Sequence, residues 1–439
     1  MTERLVREVP RRGFTGEDTP ALEDLQNCIH CGFCLPACPT YIATGHELES
    51  PRGRLHLIRG VLDGKVEASE RLISHLDLCL QCRACETACP SSVPYGRIME
   101  DARAAIVANP EVRPRSWTWR TLALRRLLTA PWLLRLLLTG ARTSQLLGLR
   151  AFVRGRLGRW LPRKLRDLEA QAPVLRSRPF RRRGTLASPP GASTRVALLL
   201  GCMHGEIYPQ THEATVRVLA RLGCEVVAPE RQVCCGALHS HAGDADTARD
   251  LARRNIEAFE HAQVDAVIVN AAGCGAAMKE YGRLLRNDRR WAERATRFDE
   301  RVFDVLEFVA ERDFEDGLGR VETSVTLQDA CHLAHAQGVR DAPRRILRAI
   351  PGVELRELAT PDRCCGSAGI YSVVQPEMSR TVLDAKLEDI AGTAASIVAT
   401  ANIGCTLQIE AGLRSSGSPA TARHVIELLD RAYAAAGGA

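Results

Sequence analysis

Long apolar runs are missing from this 439-residue chain. The strongest candidate, Trp132 to Leu138, is broken by Arg135 and falls well short of the ~20 apolar residues of a spanning helix. The first residues, MTERLVREVPRRGFTGED, carry charge where a secretory leader needs its apolar stretch, so Arg11-Arg12 is not an export signal. No G-x-G-x-x-G follows a strand-like segment, so hydride chemistry on a flavin or dinucleotide has no site here. Cysteine, by contrast, is abundant. Seventeen in a chain this long, an odd count, exclude a disulfide-stapled secreted domain and predict a reducing compartment.

Eight of these cysteines form one pattern written twice. Cys28-Ile-His-Cys31-Gly-Phe-Cys34-Leu-Pro-Ala-Cys38-Pro39 recurs, spacing unchanged, as Cys79-Leu-Gln-Cys82-Arg-Ala-Cys85-Glu-Thr-Ala-Cys89-Pro90. Three cysteines two residues apart let one loop wrap a 4Fe-4S cube, while the fourth serves the other cube of a pair. One cluster would take Cys28, Cys31, Cys34 and Cys89, and the second Cys79, Cys82, Cys85 and Cys38. Zinc or disulfide bridging is the alternative for one such run, and repetition of the whole run argues against it. His30, Gln81 and Arg83 lie between ligands and receive no ligand role. Ser50-Pro51-Arg52-Gly53-Arg54 predicts the start of a helix between the two runs.

Positive charge is concentrated beyond this module. From Glu111 to Arg183 there are 19 Lys and Arg against 3 acidic residues, a local +16 in a chain of net +7, so the remainder is net acidic. Four of the five tryptophans, Trp117, Trp119, Trp132 and Trp160, fall in the same stretch. Leu122, Leu127, Leu128, Trp132, Leu133, Leu136 and Leu137 recur at helical spacing among arginines, predicting an amphipathic face for anionic lipid or for a partner subunit. Arg142, Arg150, Arg154, Arg156 and Arg159 extend it. No recognition fold accompanies the charge, so nucleic acid is not expected.

From Arg195 onward the chain repeats itself. Cys202, Cys234-Cys235-Gly236 and Cys274 are matched by Cys331, Cys364-Cys365-Gly366 and Cys405, at offsets of 129, 130 and 131 residues. The first copy predicts strands over 196–200, 225–228 and 266–270 and a helix over 211–222. The second predicts strands over 325–328, 354–358 and 396–400 and a helix over 343–349. Alternation of strand and helix implies a parallel sheet with its sites beyond the carboxyl ends of the strands, where these cysteines fall. Adjacent cysteines make poor disulfides, because a trans peptide holds their alpha carbons about 3.8 Å apart. Cys202, Cys234, Cys235 and Cys274, and likewise Cys331, Cys364, Cys365 and Cys405, are therefore candidate metal ligands, for an iron-sulfur cluster or for zinc. Cys224 has no counterpart and reads as a core residue. His204, His332 and His335 lie near cysteines as secondary candidates, and Asp329 near the end of a strand.

The predicted architecture is α+β and multidomain. It comprises an N-terminal extension (1–20), a mostly helical two-4Fe-4S ferredoxin-type domain (21–110), a basic amphipathic helical segment (111–190) and two α/β units with parallel sheets (191–315 and 316–439). In the order of these motifs, and in Gly201-Cys202, Cys234-Cys235-Gly236-Ala237-Leu238, Gly273-Cys274-Gly275, Cys364-Cys365-Gly366-Ser367-Ala368-Gly369 and Ala401-Asn402-Ile403-Gly404-Cys405-Thr406-Leu407-Gln408, the chain resembles the glycolate oxidase iron-sulfur subunits, within a wider group carrying duplicated CCG domains. The resemblance implies a complex on the cytoplasmic face of the membrane. FAD-containing glycolate oxidase subunits would oxidise glycolate or D-lactate, and this chain would pass electrons to the respiratory quinone pool without catalytic residues of its own. The group also includes the iron-sulfur subunits of lactate and glycerol-3-phosphate dehydrogenases. In its heterodisulfide reductase members each CCG unit ends in C-x-x-C, whereas here Cys274 precedes Gly275-Ala276-Ala277 and Cys405 precedes Thr406-Leu407-Gln408. The missing thiolate disfavours a double cluster and leaves at most one conventional cluster, zinc or no metal in each unit.

Overall fold

The computed structural model describes residues 13–14, 16–148, 169, 171–175 and 178–437. Short helices build the N-terminal module: Leu22–Gln26, Pro39–Thr44, Pro51–Leu62, Glu70–Asp77 and Tyr95–Ala108. They enclose a core of Ile58, Leu76, Ile98, Met99, Ala102 and Ile106. The predicted helix start lies at Pro51, where the Ser50 hydroxyl accepts from the Gly53 N–H at 2.9 Å and caps the first turn. Gly53 is required there, since a Cβ would lie 2.0 Å from the carbonyl oxygen of Glu47.

The basic segment forms two helices, Arg115–Thr129 and Pro131–Leu146, with a proline at the first position of the second. Their buried face and the predicted lipid- or partner-facing stripe are largely different. Trp117, Thr121, Leu124, Leu128 and Leu134 are buried, whereas Leu122, Trp132, Leu136 and Leu137 of the expected stripe are exposed, together with Trp119. Leu124 and Leu128 join the core of the following unit. Several arginines act as clamps rather than as free charge: Arg120 reaches Asp77 at 2.7 Å, and Arg125 grips Asp244 at 2.6 and 2.9 Å. The expected continuation through Arg150, Arg154, Arg156, Arg159 and Trp160 lies outside the described residues.

Two sheets follow. The first is β1 (Gly184–Ala187), β2 (Thr194–Leu198), β3 (Cys224–Ala228), β4 (Ala266–Val269) and β5 (Val302–Asp304), ordered β1-β3-β2-β4-β5 and parallel except for β1. The second is β6 (Thr323–Leu327), β7 (Val353–Leu355), β8 (Ile397–Thr400) and β9 (Thr421–His424), ordered β7-β6-β8-β9 and wholly parallel. Apart from β1, the orders are the same. β4 and β8 are buried along their whole length, as central parallel strands covered on both faces should be. One apolar core runs through both units, from Val196 and Leu198 to Val325, Val398 and Leu429. The helix Pro209–Arg221 packs against the helix Val425–Ala436 at the join.

β1 corrects the sequence reading, which placed 184–187 in a helical segment; it is an edge strand and pairs antiparallel with β3. β5 and β9 were not anticipated. Each is short and runs into a capped helix. Asp304 caps Val305–Ala310 in a capping box with Glu307, and His424 caps Val425–Ala436 by accepting from the Ile426 N–H at 3.1 Å. Among the described residues no helix is long and apolar enough to cross a membrane.

Candidate iron-sulfur sites

Each N-terminal cysteine run curls because two residues between its cysteines take a left-handed backbone. These are His30 (φ 57°) and Gly32 (φ 87°) in the first run and Gln81 (φ 53°) and Arg83 (φ 63°) in the second. The positions correspond one to one, although only Gly32 is free of the usual Cβ penalty. Such strain persists only where the surroundings over-determine it, and it gathers at functional sites.

The curl gathers the cysteines into two adjoining pockets. One is lined by Cys28, Cys31, Cys34 and Cys89, with Cys85 at its border, and the other by Cys38, Cys79, Cys82 and Cys85. The last cysteine of each run thus lies in the pocket of the other run. Donors point at the sulfurs: Gln81 N–H and Tyr95 O–H toward Cys79 Sγ at 3.3 and 3.6 Å, and Val93 N–H toward Cys89 Sγ at 3.5 Å. Soft sulfur ligands surrounded by N–H and O–H donors fit an anionic 4Fe-4S cluster, which supplies one-electron chemistry when bound. Without metal, burial pushes the Cys34 thiol up to about 11 and raises Cys82 and Cys85. Ligation requires thiolates, so loading releases protons.

Sequence reasoning missed the fully buried Arg54 beside the second pocket. Its guanidinium donates to Glu49 Oε2 at 2.7 Å, to Thr40 Oγ1 at 3.1 Å and to the His75 carbonyl at 2.7 Å. Burial opposes its charge, yet Tyr95, Cys79, Cys38 and Glu49 hold it above the ordinary arginine value. The available signal was a charged residue on the apolar face of the helix Pro51–Leu62.

In the first CCG unit Cys202 follows β2, Cys234-Cys235 follows β3 and Cys274 lies in the helix after β4; Cys331, Cys364-Cys365 and Cys405 repeat this around β6, β7 and β8. The sulfurs form a chain of contacts, Cys202 to Cys234 to Cys235 to Cys274. The second unit repeats it as Cys331 to Cys364 to Cys365 to Cys405. In both, one thiol is pulled well below its ordinary value, Cys234 by Cys202 and Cys364 by Cys331, helped by the N–H of Gly236 or Gly366. Gly366 has φ 83°, and a Cβ there would lie 2.5 Å from the Ser379 carbonyl oxygen. Four sulfurs in such a chain are soft ligands of the kind that bind an iron-sulfur cluster or zinc. Cys224 is buried in the core, as its lack of a counterpart suggested.

The histidine candidates do not join these sulfurs in one arrangement. His204 is buried against His212, with ring centroids 4.7 Å apart, and burial lowers its basicity. His332 packs on His241 at 5.2 Å and borders a cavity shared with Gln81, Arg83 and Cys235. His335 bridges Thr87 Oγ1 and the Arg340 guanidinium, each at 2.9 Å. Asp329 is held by Arg344 at 3.0 and 3.1 Å and is structural.

The modules meet through their cysteine loops. Leu80, Cys331, Cys364, Tyr371 and Val382 form one apolar cluster against which Cys82 packs, and burial, with the charge of Cys364 beside it, raises the Cys82 thiol. Tyr371 O–H donates to the Leu78 carbonyl at 2.8 Å, and Arg83 reaches Glu280 at 2.5 Å. Against burial, which pushes it up, Arg283 and His241 hold Glu100 well below the usual carboxylate range. The two CCG loops also touch: Asn402 Oδ1 accepts from Gly273 N–H at 3.3 Å, and Gln337 Nε2 donates to the Ala272 carbonyl at 3.0 Å.

Comparison with known proteins agrees with this layout. Residues 24–93 match the 4Fe-4S dicluster domain, and residues 196–279 and 325–410 match the cysteine-rich CCG domain. The chain is 41% identical over 415 residues to the probable glycolate oxidase iron-sulfur subunit of Bacillus subtilis (strain 168), covering 92% of this chain and 93% of that one. It is 34% identical over 411 residues to the glycolate oxidase iron-sulfur subunit of Escherichia coli (strain K12), covering 93% and 94%. Lactate utilization protein A of Geobacillus sp. (strain WCH70) is 31% identical over 237 residues, 54% of this chain and 99% of that one. With both motif sets in order and identity along nearly its whole length, the chain belongs to the glycolate oxidase iron-sulfur subunit family and is an iron-sulfur, electron-transferring subunit of an oxidoreductase.

Proposed function

We propose that this chain carries electrons, one at a time, from a FAD-containing partner that oxidises glycolate or D-lactate to the 2-oxo acid, and delivers them to the respiratory quinone pool. The supporting observation is the abutment of sulfur sites, with Cys82 of the second N-terminal pocket packed beside Cys331 and Cys364. Electrons from the partner would enter at Cys28, Cys31, Cys34 and Cys89, pass to Cys38, Cys79, Cys82 and Cys85, and continue into the CCG units. The chain would hold two 4Fe-4S clusters, at most one conventional cluster in each CCG unit, and no flavin. The purified chain alone is expected not to oxidise glycolate; the same chain with its flavoprotein partner is expected to reduce a quinone analogue with glycolate. Turnover of glycolate by the isolated chain, free of flavin, would show that the assignment is wrong.

The complex would lie on the inner face of the cytoplasmic membrane, with exposed Trp119, Leu122, Trp132, Leu136 and Leu137 at the lipid interface and Arg115 and Arg126 over anionic headgroups. Binding to anionic vesicles that weakens as salt is raised would agree with this placement. Binding that ignores salt, or none, would count against it.

A further inference from the structure

We infer that Asn402 is a positioning residue that couples the two CCG centres, its side-chain amide joining the Cys405 sulfur of one to the Cys274 loop of the other. The inference rests on the proposal that the CCG cysteines hold iron-sulfur clusters. Asn402 Nδ2 donates to Cys405 Sγ at 3.5 Å, while Oδ1 accepts from the Gly273 N–H at 3.3 Å, one residue before Cys274. A backbone bond from Ala272 N–H to the Ala401 carbonyl, at 3.1 Å, holds the two loops together beside it.

The arrangement is one-sided. At the 131-residue offset that relates Cys274 to Cys405, the counterpart of Asn402 is Ala271, which has no side-chain donor. The duplicated unit therefore keeps its cysteines in both copies but has the bridging amide in one. There is little room around it, since a Cβ on Gly404 would lie 2.8 Å from Ser367 Oγ and 3.4 Å from Asn402 Nδ2.

Two consequences follow from the chemistry. An N–H donor to a ligating thiolate stabilises the more negative, reduced state of a cluster, so the amide raises the potential of the centre at Cys331, Cys364, Cys365 and Cys405. The same amide supplies a short hydrogen-bonded path from Cys405 Sγ to the peptide that carries Cys274.

Full-length protein, reconstituted anaerobically, tests this by iron analysis and by spectroscopic redox titration of the Asn402→Asp, Asn402→Ala and Gln337→Ala variants. Gln337→Ala removes a second side-chain hydrogen bond to the Ala272–Gly275 loop and leaves the Cys405 donor in place. We expect wild-type iron content in all three. Both Asn402 variants should lose about tenfold in the reduction equilibrium of one CCG centre, about 59 mV for one electron, while Gln337→Ala stays near wild type. Unchanged potentials in the Asn402 variants, or an equal fall in Gln337→Ala, would overturn the assignment. Should Asn402→Ala and Asn402→Asp lose the iron of one centre, its retention in Asn402→Gln would carry the same conclusion, and its loss there too would mark the position as packing alone. Wild-type iron that stops at about eight atoms, the content of two cubes, would overturn the cluster reading of the CCG sites and this inference with it. That failure appears before any substitution is made.

Discussion

At the scale of single residues, the crossed cysteine sets make a sharp prediction. Cys89 belongs to the second run in sequence but lines the pocket of Cys28, Cys31 and Cys34. Cys89→Ser should therefore disturb the cluster held by the first run, and Cys38→Ser the one held by the second, as read in the resonance spectra of the reduced variants. The reverse pattern would contradict the crossing. Arg54 makes a second prediction. Removing one member of a buried ion pair leaves the other charged and uncompensated, at a cost of about 3–5 kcal/mol. Arg54→Met leaves Glu49 with His75 as its one remaining ion-pair partner and should destabilise the N-terminal module by up to that order, as measured by denaturant unfolding. The grouping of the cysteines into two crossed sets was legible in the sequence because their spacing is repeated, and the two pockets bring the same sets together. Arg54 was not, because burial of a charge on an apolar face depends on partners, Glu49 and Thr40, that only folding brings to it.

At the scale of elements, the helix Arg115–Thr129 has two faces with different duties. Leu128 is 5% exposed and packs in the core of the first CCG unit, so Leu128→Ala should cost about 2–5 kcal/mol. Leu136, 62% exposed in the neighbouring helix, should tolerate alanine within about 0.5 kcal/mol, and any defect of Leu136→Ala should appear in vesicle or partner binding instead. Helical period alone indicated that a stripe exists but not which side the sheet would cover. β5 shows another limit: three residues are too few to read, yet they set the start of the next helix. Its last residue, Asp304, is buried, and burial raises its carboxyl to about 7, with Oδ2 unpartnered. A raised carboxyl favours the fold below its unfolded value near 3.8 and loses that contribution as pH climbs through about 7. Asp304→Asn keeps a capping oxygen and should gain stability over wild type, on the order of 1–3 kcal/mol, at pH 8, a gain that shrinks steadily as pH is lowered from about 7 toward 3.8, in paired thermal or denaturant melts.

At the scale of the whole molecule, the two CCG units share one core, and buried histidines lie within it. Burial lowers His212 to about 4 and His424 to about 3, from 6.5. A depressed histidine supports the fold fully above 6.5, and the support is lost as pH falls toward the folded values. Stability should therefore decline from pH 6.5 to about 4, and replacing His212 with a neutral residue of similar volume should flatten that decline in a pH series of melts. The assembly also explains where the basic segment's charge goes. Arg120 and Arg125 tie the segment to Asp77 of the N-terminal module and Asp244 of the first CCG unit, and Arg135 pairs with Glu206 at 3.9 Å, leaving Arg115 and Arg126 exposed.

By itself the sequence determined the two repeated four-cysteine patterns, the duplicated CCG units and their central strands, because cysteine spacing, repeat offset and local periodicity are all written along the chain. Tertiary structure alone decided that β1 turns back as an antiparallel edge, that Cys82 lies beside Cys364, and that Asn402 reaches across to Gly273. Those contacts join residues dozens to hundreds of positions apart, and no local rule of spacing or propensity encodes which segments a closing core will press together.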